Sequence, residues 1–96
     1  MGLFNSLSTI GKVNEHLKEM EYQLNLICQM MDNGLPSYKI QNELNIFKQQ
    51  HQQLINLFGG SRGAFVAVYT FLGRKCRSAD ILQFTKDTIC ELQSKI

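Results

Sequence analysis

The side chains in this chain best suited to acid–base, nucleophilic or metal chemistry are two histidines, His16 and His51, and three cysteines, Cys28, Cys76 and Cys90. Catalysis by such groups needs a nucleophile, a base within reach of it and something to hold developing charge. Their spacing does not assemble these parts. There is no C-x-x-C pair and no H-x-x-x-H pair, so no metal site is expected. His51 stands in line with apolar residues, which predicts a core histidine bonded to a neighbour on the preceding helix, such as Glu19 or Gln23. Cys28 and Cys90 read as small buried hydrophobes. Cys76 is flanked by Lys75 and Arg77, and because neighbouring cations lower a thiol pKa it is the one cysteine with a reactive setting, although an incidental surface cysteine is the preferred reading. No catalytic residue and no cofactor follow from this inventory, and the chain is expected not to be an enzyme.

Anion chemistry has a better claim. No acid lies between Glu43 and Asp80, and that stretch carries Lys48, Arg62, Arg74, Lys75 and Arg77. Its charge is +5 against +2 for the whole chain, so the remainder is −3. Arg62, Arg74, Lys75 and Arg77 therefore form a candidate edge for phosphates, anionic lipid or an acidic protein face. Gly59-Gly60-Ser61-Arg62-Gly63 can cradle an anion on free N–H groups, but it lacks the Gly-Lys-Ser/Thr of a Walker loop and follows a helix. A helix cap and turn is the expectation. The acids Glu15, Glu19 and Glu21, with Lys12 and Lys18, read as a solvated helix face. Gly2 and Ser6 fit the bare myristoylation pattern, which specifies only two positions.

The elements that would position these groups are helical. Leu3, Ser6, Ile10, Val13, Leu17, Met20, Leu24, Ile27 and Met31 alternate steps of three and four, a seam that a strand of period two cannot use. Asn33-Gly34 and Pro36 stop it, and Pro36 or Ser37 can open the next helix. A second seam runs through Ile40, Leu44, Phe47, His51, Leu54 and Phe58, ended by Gly59-Gly60. A short turn makes the two antiparallel, with paired positions summing to about 71. Ala64–Leu72 has the β-branched and aromatic content of a strand, but no other segment reads as its partner, so a short buried helix is the preferred reading. Ser78 as N-cap with Asp80 opens a last helix, whose seam is Leu82, Thr85, Ile89, Leu92 and Ile96. The predicted fold is a single all-α domain over residues 1–96. An antiparallel hairpin (about 3–32 and 37–58) is extended by shorter helices (about 63–73 and 79–95) into a small bundle.

Composition narrows the function. Charged residues make up 19% of the 96, low for a soluble domain, while Asn and Gln together number 16. An odd cysteine count in no recurring spacing argues for a reducing compartment, and no signal-peptide pattern or bilayer-length apolar run is visible, so a cytoplasmic location is expected. With no chemistry assembled, the expected role is docking on another protein, itself included, as an adaptor, inhibitor or chaperone-like regulatory module. The first helix is longer than the second, which predicts an overhang exposing Leu3, Phe4 and Leu7. The second helix carries uncharged amides outward, among them Gln49 and Gln53, which desolvate more readily than Lys or Glu at an interface. The alternative is an anion-surface binder, for nucleic acid or membrane, acting through residues 62–77.

Overall fold

The computed structural model describes the backbone of residues 2–96 and the side chains from Leu7 onward. In chain order it has α1 (Gly2–Asp32), α2 (Ser37–Gly59), α3 (Arg62–Val66), β1 (Val68–Phe71), β2 (Arg74–Arg77) and α4 (Ser78–Lys95). The chain is thus an all-α bundle in its bulk, with a two-stranded antiparallel hairpin set into it.

The α1–α2 turn is closed by the chemistry its residues supply. Gly34, at φ +67, stands where a left-handed residue is needed. Its N–H donates to Met31 O and that of Leu35 to Met30 O, the paired bonds of a Schellman cap. Pro36 takes the N-cap of α2 at φ −57. The two helices share one core through Val13, Leu17, Met20, Leu24 and Ile27 on α1 and Ile40, Leu44, Phe47, Leu54 and Phe58 on α2. Each large side chain so buried contributes roughly 1.5–3 kcal/mol before its entropy is counted.

Their register differs from expectation. His16 Nε2 is 2.7 Å from Gln50 O, and Gln23 Nε2 donates to Glu43 O at 3.0 Å; both pairs of positions sum to 66, not 71. In an antiparallel pair the N-terminal lean of an α1 side chain and the forward tilt of an α2 carbonyl point the same way, so these contacts report the register of the two helices directly.

The largest departure is the segment expected to be a helix over 63–73. Only Arg62–Val66 is helical; Val68–Phe71 is a strand, and its partner is Arg74–Arg77. The register is Phe71 with Arg74, Thr70 with Lys75, Tyr69 with Cys76 and Val68 with Arg77. Two residues connect the strands, Leu72 at φ 52 and Gly73 at φ 77, the positive pair that a tight hairpin turn demands. Tyr69 and Phe71 face inward and are buried, while Val68 and Thr70 face out. Three bonds fix this insert. The Tyr69 hydroxyl donates to Ala64 O (2.6 Å), Leu72 N–H to Glu21 Oε1 on α1 (2.9 Å), and the Ser78 hydroxyl to Phe65 O (2.7 Å).

α4 packs on α2 through Ile81, Thr85 and Leu92, with Leu82, Ile89 and Ile96 partly buried against the same core. Ser78 is not its N-cap but its first residue, and it is buried. Arg77 holds the cap position, and the Asp80 carboxylate accepts its N–H at 3.5 Å. A guanidinium has no acceptor to return, so only this half of a capping box forms.

Candidate functional site

The hairpin and the start of α4 line a cleft of about 490 Å³. Phe71 and Ile81, both buried, form its floor, and Phe71 meets Phe84 edge-on with ring centroids 6.1 Å apart. Leu72 and Phe84 stand at its mouth, 38% and 45% exposed. Arg74, Lys75, Cys76 and Asp80 complete the lining. Strand geometry explains part of this set. Alternation puts Arg74 and Cys76 on the inner face with Phe71 and Tyr69, and puts Lys75 and Arg77 on the outer face with Thr70 and Val68, so Lys75 reaches the cleft only at its edge.

The same alternation speaks against the activated alternative for Cys76 and for the preferred reading of an incidental cysteine. Its sequence neighbours Lys75 and Arg77 belong to the opposite face. Burial first, then the Asp80 carboxylate, pushes the thiol up from its ordinary value, against a smaller downward pull from a main-chain hydrogen bond at Phe71. Cys28 and Cys90, expected to be buried, are exposed.

His51 is half-buried and bonds to α4, not α1: Nδ1 lies 2.6 Å from Thr85 Oγ1. The Thr85 hydroxyl also lies 2.9 Å from Ile81 O and 3.2 Å from Leu82 O, both of which can accept its proton. Glu19 instead lies 3.9 Å from Nδ1 of the other histidine, His16, which is buried. His16 and Gln23 are the buried polar residues of α1, and their positions beside Leu17 and Leu24 signal it. A globular helix buries a stripe wider than its central seam. Among the described residues no group of three or more His, Cys, Asp or Glu is placed to hold a metal ion.

The four candidate anion-binding residues are all exposed. Arg74, Lys75 and Arg77 are brought together on β2, while Arg62 opens the separate helix α3. The ion pairs among the described residues are His16–Glu19 and Lys95–Glu91, so none of the four cations is neutralised by a carboxylate. Beside Arg77 on the outer face Val68 is 57% exposed, and Phe65 and Val66 of α3 are similarly open. Gly60 at the end of α2 is a cap at φ −83, and the Ser61 hydroxyl accepts Ala64 N–H, so the glycine cluster is a helix stop and restart.

Of the candidate partner-binding residues, Leu3 and Phe4 lie outside the described side chains. Leu7 is 56% exposed, whereas Ile10 already packs on the core and Val13 is fully buried. By the register of the inter-helix bonds, Gly59 at the end of α2 is level with Leu7, so the helical backbone of residues 2–6 runs beyond it. Gln49 and Gln53 are exposed. The amide face is divided, however: Gln41 and Lys48 both donate to Gln93 Oε1 on α4, at 3.1 and 2.7 Å, which ties that part of α2 into the bundle. No described helix is long and apolar enough to cross a membrane. In comparisons with known proteins, no family model, curated protein or solved structure matches the chain.

Proposed function

We propose that the chain is a non-enzymatic docking module that works by binding another protein, a second copy of itself among its partners. The observation that carries this reading is the first turns of α1. They continue a helix past the end of its partner helix and present Leu7 to solvent. A helix ordered by packing has reason to extend there when something covers it, since isolated helical turns are marginal in water. The exposed amides Gln49 and Gln53 are a second desolvable surface. Sedimentation equilibrium of the intact chain beside one lacking residues 1–9 tests the self-associating part. A mass that falls to that of a monomer on deletion supports it, and one unchanged by deletion removes the N-terminal turns as the contact.

A second reading has its own support in the cations of β2 and Arg62, which carry no carboxylate partner among the described residues. An anionic surface, nucleic acid or membrane, would supply the missing charge. Binding of that kind falls steeply with salt, as each phosphate contact releases counterions. A titration against nucleic acid and anionic vesicles across salt concentrations separates it from docking through Leu7, which is apolar and salt-insensitive.

A further inference from the structure

We propose that the cleft between the β-hairpin and α4 is a docking groove for an acidic peptide segment of a partner protein. That segment inserts one aromatic or leucine side chain among Phe71, Ile81 and Phe84 and lays carboxylates on Arg74 and Lys75. The inference rests on the docking reading and names the chemistry of the partner.

Two features select this occupant. The floor is apolar, and Leu72 and Phe84 remain open at its mouth, so an inserted hydrocarbon group gains burial. The rim is cationic on balance: Arg74 and Lys75 have no ion-pair partner among the described residues, and with the one acid of the lining, Asp80, they leave it at a net +1 (two cations less one carboxylate). No acid within residues 44–79 offsets them. An occupant must therefore bring hydrocarbon and negative charge together. A nucleic-acid backbone answers the cations but leaves the floor bare. A lipid surface is engaged by protruding groups, and those are Phe65, Val66 and Val68 outside the cleft, whereas a concave groove of about 490 Å³ accepts a single anchoring side chain with its neighbours across the rim.

The test is selection of random peptides, about twelve residues long, against the immobilised full chain, followed by affinity measurement on variants. The expected sequences hold an aromatic or leucine residue flanked by at least two acids. Their affinity falls by about tenfold or more in Arg74→Glu, Lys75→Glu and Phe84→Ser, and by less than about twofold in Arg62→Glu, which makes the same charge change outside the cleft. Circular dichroism on each variant confirms that the fold persists, and resonance shifts of the unmodified chain locate the bound peptide. Selected sequences without acids, equal losses in Arg62→Glu, or shifts outside the cleft overturn the proposal. So does the absence of any selected peptide, including the case in which phosphatidylserine vesicles bind through Arg74 and Lys75 instead. The N-terminal deletion reports separately. A chain that selects no acidic peptide yet loses an oligomeric state on removal of residues 1–9 rejects this groove and retains the docking module.

Discussion

Burial, and after it the positive charge of Lys86, hold the His51 pKa below its ordinary value of 6.5. The protonated ring still donates from Nδ1 to Thr85, so the hydrogen bond survives, and the penalty comes from desolvation and from Lys86. With the folded pKa depressed, the unfolded chain binds the proton more readily. Stability is therefore unaffected by this group above the ordinary histidine range and is lost as pH falls through it. His51→Gln is expected to flatten that acid-side loss, seen as a smaller drop in Tm between pH 7.5 and 5.5 than the parent chain shows. A second residue-scale expectation concerns Ser78. Its buried hydroxyl is the bond from α4 to the end of α3, and Ser78→Ala leaves Phe65 O without that donor. Urea unfolding is expected to show a cost of about 1–3 kcal/mol.

At the scale of elements, two glycines predict opposite outcomes. Gly73 sits at φ +77 in the hairpin turn with nothing within 4 Å of an added Cβ, so Gly73→Ala is opposed by backbone conformation alone, about 1 kcal/mol. Gly11 also has open space but lies inside α1, where Gly11→Ala is expected to stabilise by about 1 kcal/mol. Thermal denaturation of both variants checks the pair. The helices were legible because their signals repeat: the seams of α1 and α2 recur over several turns, and Gly34 marks the stop. The hairpin was not. Its turn is Leu72-Gly73, without the Asn-Gly or Asp-Gly that advertises one, and β2 is Arg-Lys-Cys-Arg, a strand whose composition reads as a loop. Without a visible partner, the β content of Val68–Phe71 pointed to a buried helix. The cleft was hidden for the same reason, because its lining depends on which face of β2 each residue takes. Thr85 as the partner of His51 follows from α4 packing beside α2, a tertiary placement that periodicity does not encode.

For the whole molecule, the shape is long and narrow, 48 × 21 × 18 Å, and its length is close to that of α1 alone, about 46 Å. The core lies toward the middle and C-terminal part of that helix, and the basic hairpin docks on it at Glu21. The molecule thus presents two separated surfaces: the leading turns of α1 and the hairpin with its cationic strand. Among the residues whose side chains are described, deleting residues 1–9 removes none of the fully buried ones, the first of which along the chain is Val13. The truncated chain is expected to fold, with a circular dichroism loss limited to the missing turns, and to lose self-association. The measurement that tests the docking function most directly is photocrosslinking from position 8, an exposed site next to Leu7, in cell extract and with purified chain. The expected result is one adduct of defined mass, to a second copy or to a single partner, that disappears in Leu7→Ser. No adduct, or a mixture that Leu7→Ser leaves unchanged, would contradict the account.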